Sequence, residues 1–127
     1  MIAVDTSALM AIVLNEAEAD RCIAALAGQT TLLISAGTVA EALVVSRRRD
    51  VGGEMASLIE GLGFDVVPVT AASARRIAQA YDIWGKGVHP AALNFGDCFA
   101  YDVAKDNGCR LLFVGKDFLQ TDIAGVV

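Results

Sequence analysis

Short apolar runs separated by helix-length stretches predict one α/β domain, with a mostly parallel central sheet flanked by helices on both faces. The runs are three to five residues long and mostly uncharged, as strands buried on both faces tend to be. Each is separated from the next by enough residues for at least one helix, and such crossovers join parallel strands. A chain of 127 residues has the length of one ordinary domain and can bury a real core. No internal repeat, low-complexity tract or long linker divides it, so residues 1–127 read as a single domain.

In chain order, the first strand is Ile2–Val4, closed by Asp5 and followed by helices at Thr6–Leu14 and Glu16–Leu26. Gly28, Gln29, Thr30 and Thr31 then read as a helix end, a turn and the start of a strand at Thr31–Ser35. They also break the uncharged stretch Cys22–Ala40, which therefore is not a membrane-spanning helix. Helices at Thr38–Arg48 and Glu54–Leu62 lead to a strand at Asp65–Val69, and a helix at Ala71–Trp84 follows. Gly85, Gly87 and Pro90 end that helix and block its continuation. The loop through His89 delivers Asn94, Phe95 and Gly96 to a helix at Asp97–Asn107. Leu111–Val114 is the last main strand, and Ile123–Val127 could add an edge strand.

Composition narrows the function. Hydrophobic residues make up 55% of the chain, which excludes disorder. No basic region precedes an apolar segment at the N-terminus, so no signal peptide is read and a soluble, cytoplasmic protein is expected, with no membrane partner. Cys22, Cys98 and Cys109 cannot all pair within one chain, none is spaced as CxxC, and the single histidine, His89, has no nearby thiol. Buried free thiols are expected, not a zinc site or a disulfide framework. The net charge of −5 argues against a protein that grips long duplex nucleic acid by charge alone.

Four acids interrupt or closely follow apolar runs: Asp5, Glu41, Asp97 and Asp117. In parallel α/β sheets ligands bind beyond the carboxyl ends of the strands. All four acids fall on that edge of the expected sheet. Each also has a purely structural reading. Asp5 could cap the first helix, Asp97 could favour a helix N-terminus with Asn94 as cap, and Asp117 could hold a turn. Glu41 could lie on a solvated stripe, although Val39, Ala40, Ala42, Leu43, Val44 and Val45 surround it. If the four converge, two carboxylates about 5 Å apart repel by roughly 3 kcal/mol at an effective dielectric near 20. An all-oxygen cluster of this kind calls for a hard divalent cation, Mg²⁺ or Mn²⁺.

Three segments in order carry a family resemblance. They are Met1-Ile2-Ala3-Val4-Asp5-Thr6-Ser7-Ala8-Leu9, the stretch from His89 through Asn94-Phe95-Gly96-Asp97 to Lys105, and Leu111-Leu112-Phe113-Val114-Gly115-Lys116-Asp117-Phe118 with Thr121-Asp122-Ile123. With Glu41 at the matching spacing, the chain resembles the PIN-domain endoribonucleases, and among them the VapC-type toxins of toxin–antitoxin modules. That resemblance implies a PIN-like sheet and an Mg²⁺ site (with Mn²⁺ as a substitute) in which Asp5 and Asp97 are the central ligands. Glu41 and Asp117 would complete the cluster, directly or through water. Ser7 corresponds to a small hydroxyl residue beside the first aspartate, and Asn94 to a polar residue near the site. Asp122 is a rival to Asp117 as the fourth acid. The resemblance further implies an RNA substrate, a small VapB-like antitoxin and a homodimer. Helices Glu16–Leu26 and Thr38–Arg48 are apolar enough to offer the antitoxin a groove.

Phosphate contacts could come from Arg47, Arg48 and Arg49, from Lys86 and His89, or from Lys105 and Lys116. The arginine run also reads as a solvated helix end, and a single loop histidine is a poor candidate for a general base. Two other small α/β classes do not fit. A phosphoacceptor domain needs an aspartate after a central strand, whereas Asp65–Val69 leads into Thr70. A dehalogenase-type phosphatase needs Asp-x-Asp after the first strand, where this chain has Asp5-Thr6-Ser7. A non-catalytic binding module on the same scaffold is the remaining alternative.

Overall fold

A computed structural model describes residues 1–126. Four strands, β1 (Ile2–Val4), β2 (Leu32–Ser35), β3 (Asp65–Val67) and β4 (Arg110–Leu112), form one sheet in the order β3-β2-β1-β4 with every pairing parallel. Six helices connect them: α1 (Thr6–Val13), α2 (Ala19–Ala27), α3 (Ala36–Arg48), α4 (Gly52–Leu62), α5 (Ala71–Trp84) and α6 (Phe95–Asn107).

Strand alternation builds two cores. Ile2, Val4, Leu32, Ile34 and Leu112 point to one face, where they meet Leu9 and Met10 of α1, Leu26 of α2, Ala42 of α3 and Met55 of α4. Ala3, Leu33 and Leu111 point to the other, against Ile77 and Ala80 of α5 and Cys98, Ala100 and Val103 of α6. Both faces of the central strands are covered, which is why these strands are apolar throughout.

The strand order reverses at β1. β2 and β3 lie on one side of it, and the chain then returns past the sheet through α5 and α6 to place β4 on the other. In such sheets the crevice at the reversal is the natural ligand site. At its mouth the Asp5 amide donates to the Leu112 carbonyl at 3.0 Å, joining the exits of β1 and β4.

Several element boundaries move from their sequence-based positions, each for a local reason. Helix α3 begins at Ala36, two residues before Thr38, because Ser35 caps it by accepting the Gly37 N–H at 3.1 Å. Helix α6 begins at Phe95 with Asn94 as N-cap, so Asp97 lies in its first turn and not at its start. Helix α2 starts at Ala19 after a turn in which Asn15 takes a left-handed φ of 51°. β3 stops at Val67, before Pro68, which has no N–H for the ladder. β4 leaves the sheet after Leu112, and the Val114 amide turns to Ser7 instead. The expected edge strand at Ile123–Val127 amounts to a parallel bridge between Leu111 and Gly125, and residue 127 lies outside the described residues.

Cys22 and Cys98 are buried free thiols, and Cys109 is half-buried. Among the described residues, no helix is long and apolar enough to cross a membrane.

Candidate active site

Asp5 stands at the carboxyl end of β1 and is 3% exposed. It is the N-cap of α1: its Oδ2 accepts the Ser7 N–H at 3.0 Å and the Ser7 hydroxyl at 2.6 Å. The capping role expected for this residue is therefore real, but it engages only one oxygen. The other, Oδ1, is buried without a hydrogen-bond partner among the described residues. Burial pushes the Asp5 carboxyl up to about 6; the Ser7 hydrogen bonds oppose that rise, and the nearby Glu41 charge adds to it.

Ser7 does more than brace Asp5. Its Oγ also accepts the Val114 N–H at 3.0 Å, tying the start of α1 to the chain leaving β4. That chain carries Asp117, which is exposed on the turn beyond.

Glu41 reaches the same region from α3. Its Oε1 accepts the Thr6 hydroxyl at 2.6 Å. Gly96 lets its carboxylate approach α6, because a methyl group at position 96 would overlap the Glu41 head. Asp97, half-buried in the first turn of α6, has its Oδ2 held by the Asn94 N–H at 2.9 Å. Burial is the main cause that lifts Asp97 to about 7, against the pull of the Asn94 amide. The charges of Asp5, Asp117 and Glu41 raise it further, so all four acids act on one neighbourhood.

The donor set suits a hard divalent cation. It is all oxygen, it includes the unpartnered buried Oδ1, and no ion pair among the described residues neutralises any of the four. As the side chains stand, no three His, Cys, Asp or Glu groups among the described residues are drawn together tightly enough to grip an ion. Glu41, Asp5 and Asp97 each hold one oxygen on a protein donor.

Asp122, the rival fourth acid, is engaged elsewhere. It accepts the Tyr101 hydroxyl at 2.7 Å and Lys105 Nζ at 2.9 Å. Burial acts to raise its carboxyl, but these two donors prevail and hold it below the usual range. His89 organises its own loop: its Nδ1 accepts the Ala91 N–H at 3.0 Å, and its ring meets Trp84 edge-on at 4.8 Å. Arg47, Arg48 and Arg49 lie about 10 Å along the axis of α3 beyond Glu41, whereas Lys116 adjoins Asp117 directly. Two contributors lie in the segments that carry the resemblance but have no role assigned from the sequence. Thr6 acts across 35 positions and Gly96 acts by having no side chain, so neither leaves a motif of its own.

Residues 2–124 match the family model described as PIN domain. This chain belongs to the PIN domain family. It is 42% identical over 126 residues to the ribonuclease VapC30 of Mycobacterium tuberculosis, covering 97% of this PIN domain chain and 96% of that protein. The crystal structure of M. tuberculosis VapC20, described as a sarcin–ricin loop cleaving toxin, shares the fold with a TM-score of 0.81 at 18% identity, over 99% of this chain and 98% of that one. A toxin–antitoxin complex from Klebsiella pneumoniae shares it with a TM-score of 0.72 at 17% identity, over 96% of this chain and 93% of its counterpart. The VapC-type resemblance and the PIN-like α/β fold read from the sequence are thus borne out.

Proposed function

We propose that this PIN domain is a divalent-metal-dependent endoribonuclease and the toxin of a toxin–antitoxin pair. The buried, unpartnered Oδ1 of Asp5 carries this reading, because such an oxygen, once its carboxyl has lost its proton, is stabilised by a cation. Asp5 and Asp97 would hold Mg²⁺ or Mn²⁺, with Glu41 and Asp117 completing the set. When bound, such an ion supplies a Lewis acid that activates water and neutralises charge growing on the phosphoryl oxygens.

The protein's own contribution is positioning. Ser7 fixes Asp5 so that one oxygen is held and the other stays free. Thr6 orients Glu41, and the Asn94 amide orients Asp97. The Ser7 link to Val114 sets the path of the chain toward Asp117, and Lys116 supplies a cation for a backbone phosphate. No side-chain nucleophile is required. The relatives named as ribonucleases support RNA as substrate, and an acidic notch admits the thin backbone of a single strand or loop more readily than a duplex.

The antitoxin partner is supported by complexes that share this fold. An apolar groove of about 430 Å³ lies between α1, α2 and α4, lined by Ile12, Ile23, Leu26, Leu58 and Leu62. Helix α4 lines this groove with α1 and α2, while α3 exposes Val44 and Val45 of its own. The partner's apolar segment fits this groove, and a guanidinium from it would pair with the acids. A homodimer acting in the cytoplasm completes the reading.

Incubation of purified protein with single-stranded RNA tests it. Cleavage should require Mg²⁺, stop with EDTA, and be abolished in Asp97→Asn. Cleavage that survives EDTA, or the loss of Asp97, would rule the mechanism out.

A further inference from the structure

Phe95 lies two residues before Asp97 in the first turn of α6, yet it is 65% exposed. In the single chain the ring gains little from burial there. Its ring stands edge-on to Phe99 at 5.0 Å, which fixes its attitude. Phe99 is itself pinned by Gly37, where any side chain would collide with its ring. Beside the two rings opens a pocket of about 240 Å³, lined only by apolar residues: Val69, Ala74, Ile77, Ala78, Phe95 and Phe99.

The sheet orders these features along one edge. The acids gather over the exits of β4 and β1, Glu41 and Gly96 meet next to them, and the aromatic pair continues toward Val69, just past β3. A strand with one phosphate at the acids would pass its neighbouring nucleotide over Phe95. The bound cation and Lys116 would serve the phosphates, which leaves the bases themselves to be held. Aromatic faces can hold them, since every base has a π surface to stack.

We infer that Phe95, braced by Phe99, stacks an unpaired base of the RNA one or two nucleotides from the scissile phosphate, and that the apolar pocket beside it sets a base preference there. This rests on the ribonuclease reading above and names a specificity residue within it.

The test uses short single-stranded RNAs of randomised sequence, cut in Mg²⁺ by the whole protein, with the cut ends sequenced and KM and kcat measured on the preferred sequence. Phe95→Leu keeps the apolar volume and removes the π face; Phe95→Tyr keeps the ring. The leucine variant should raise KM by about fivefold or more while kcat stays within about twofold, and should flatten the preference at one position near the cut. The tyrosine variant should retain both. An unchanged KM and preference in the leucine variant would overturn the inference while leaving the nuclease intact. So would a loss confined to kcat or to thermal stability, or a tyrosine variant as impaired as leucine. Wild-type protein that cuts none of these RNAs would sink the ribonuclease reading, and this inference with it.

Discussion

At position 96 a single hydrogen decides how near α3 and α6 can bring their acids. A methyl group there would overlap the Glu41 carboxylate, which is the flexible end of its side chain and can swing away. Swinging away breaks the bond from Thr6 and removes one acid from the cluster. Helix interiors favour alanine over glycine by up to about 1 kcal/mol, so fold and catalysis should separate in Gly96→Ala. Thermal stability should hold or rise slightly, while kcat falls more than tenfold; calorimetric melting and a cleavage assay on the same preparation would show it. Thr6→Val should mimic the loss of activity, because it removes the same restraint without adding bulk.

At the scale of elements, the turn after β4 carries two acids five positions apart with different tasks. Asp122 fastens this segment to α6 through Tyr101 and Lys105, and Trp84 Nε1 donates to the same Tyr101 oxygen at 3.0 Å, bringing in α5. Asp117 makes no such attachment among the described residues and faces solvent beside the other acids. Asp122→Asn should therefore lower stability by about 1 kcal/mol and leave cleavage within a few-fold, given how exposed its lysine partner is. Asp117→Asn should do the reverse, and paired melting and rate measurements would show which acid belongs to the site.

The elements also show what sequence can and cannot reveal. Glu41 stood out in the sequence because apolar residues surround it, whereas Asp5 also had an ordinary reading as the cap of α1, which it fulfils. The two central strands were legible because burial on both faces leaves little room for polar side chains, whereas the edge strand β3 is largely exposed. The start of α3 was not legible, because Ser35 acts as a cap only once the chain has turned off the sheet, whereas the Asn94 cap of α6 was among the readings the sequence allowed. The exposure of Phe95 left no sign in the sequence, because only the packing places this apolar residue outside.

Across the whole molecule, the clustered acids set a pH dependence. Asp5 and Asp97 have folded-state values of about 6 and about 7, above the ordinary 3.8. The folded protein thus holds protons that the unfolded chain releases, and the stability they lend is present below about pH 4 and is lost as pH rises through 6 and 7. Between about pH 5 and pH 8, Asp5 alone should lower the stability of the metal-free protein by roughly 1 kcal/mol. Melting in EDTA should show that decline, and Mg²⁺ should reverse it at pH 8 far more than at pH 5, because ligands must shed their protons to bind. A melting temperature that rises steadily with pH in EDTA would mean that burial does not hold protons on Asp5 and Asp97.

Calorimetric titration with Mn²⁺ at about pH 7.5 probes the acidic notch without needing the natural RNA. Wild-type protein should bind the ion, and Asp5→Asn, with its fold confirmed by circular dichroism, should bind at least tenfold more weakly. Equal binding by the two proteins, or no binding by either, would contradict a cation site built around the buried oxygen of Asp5.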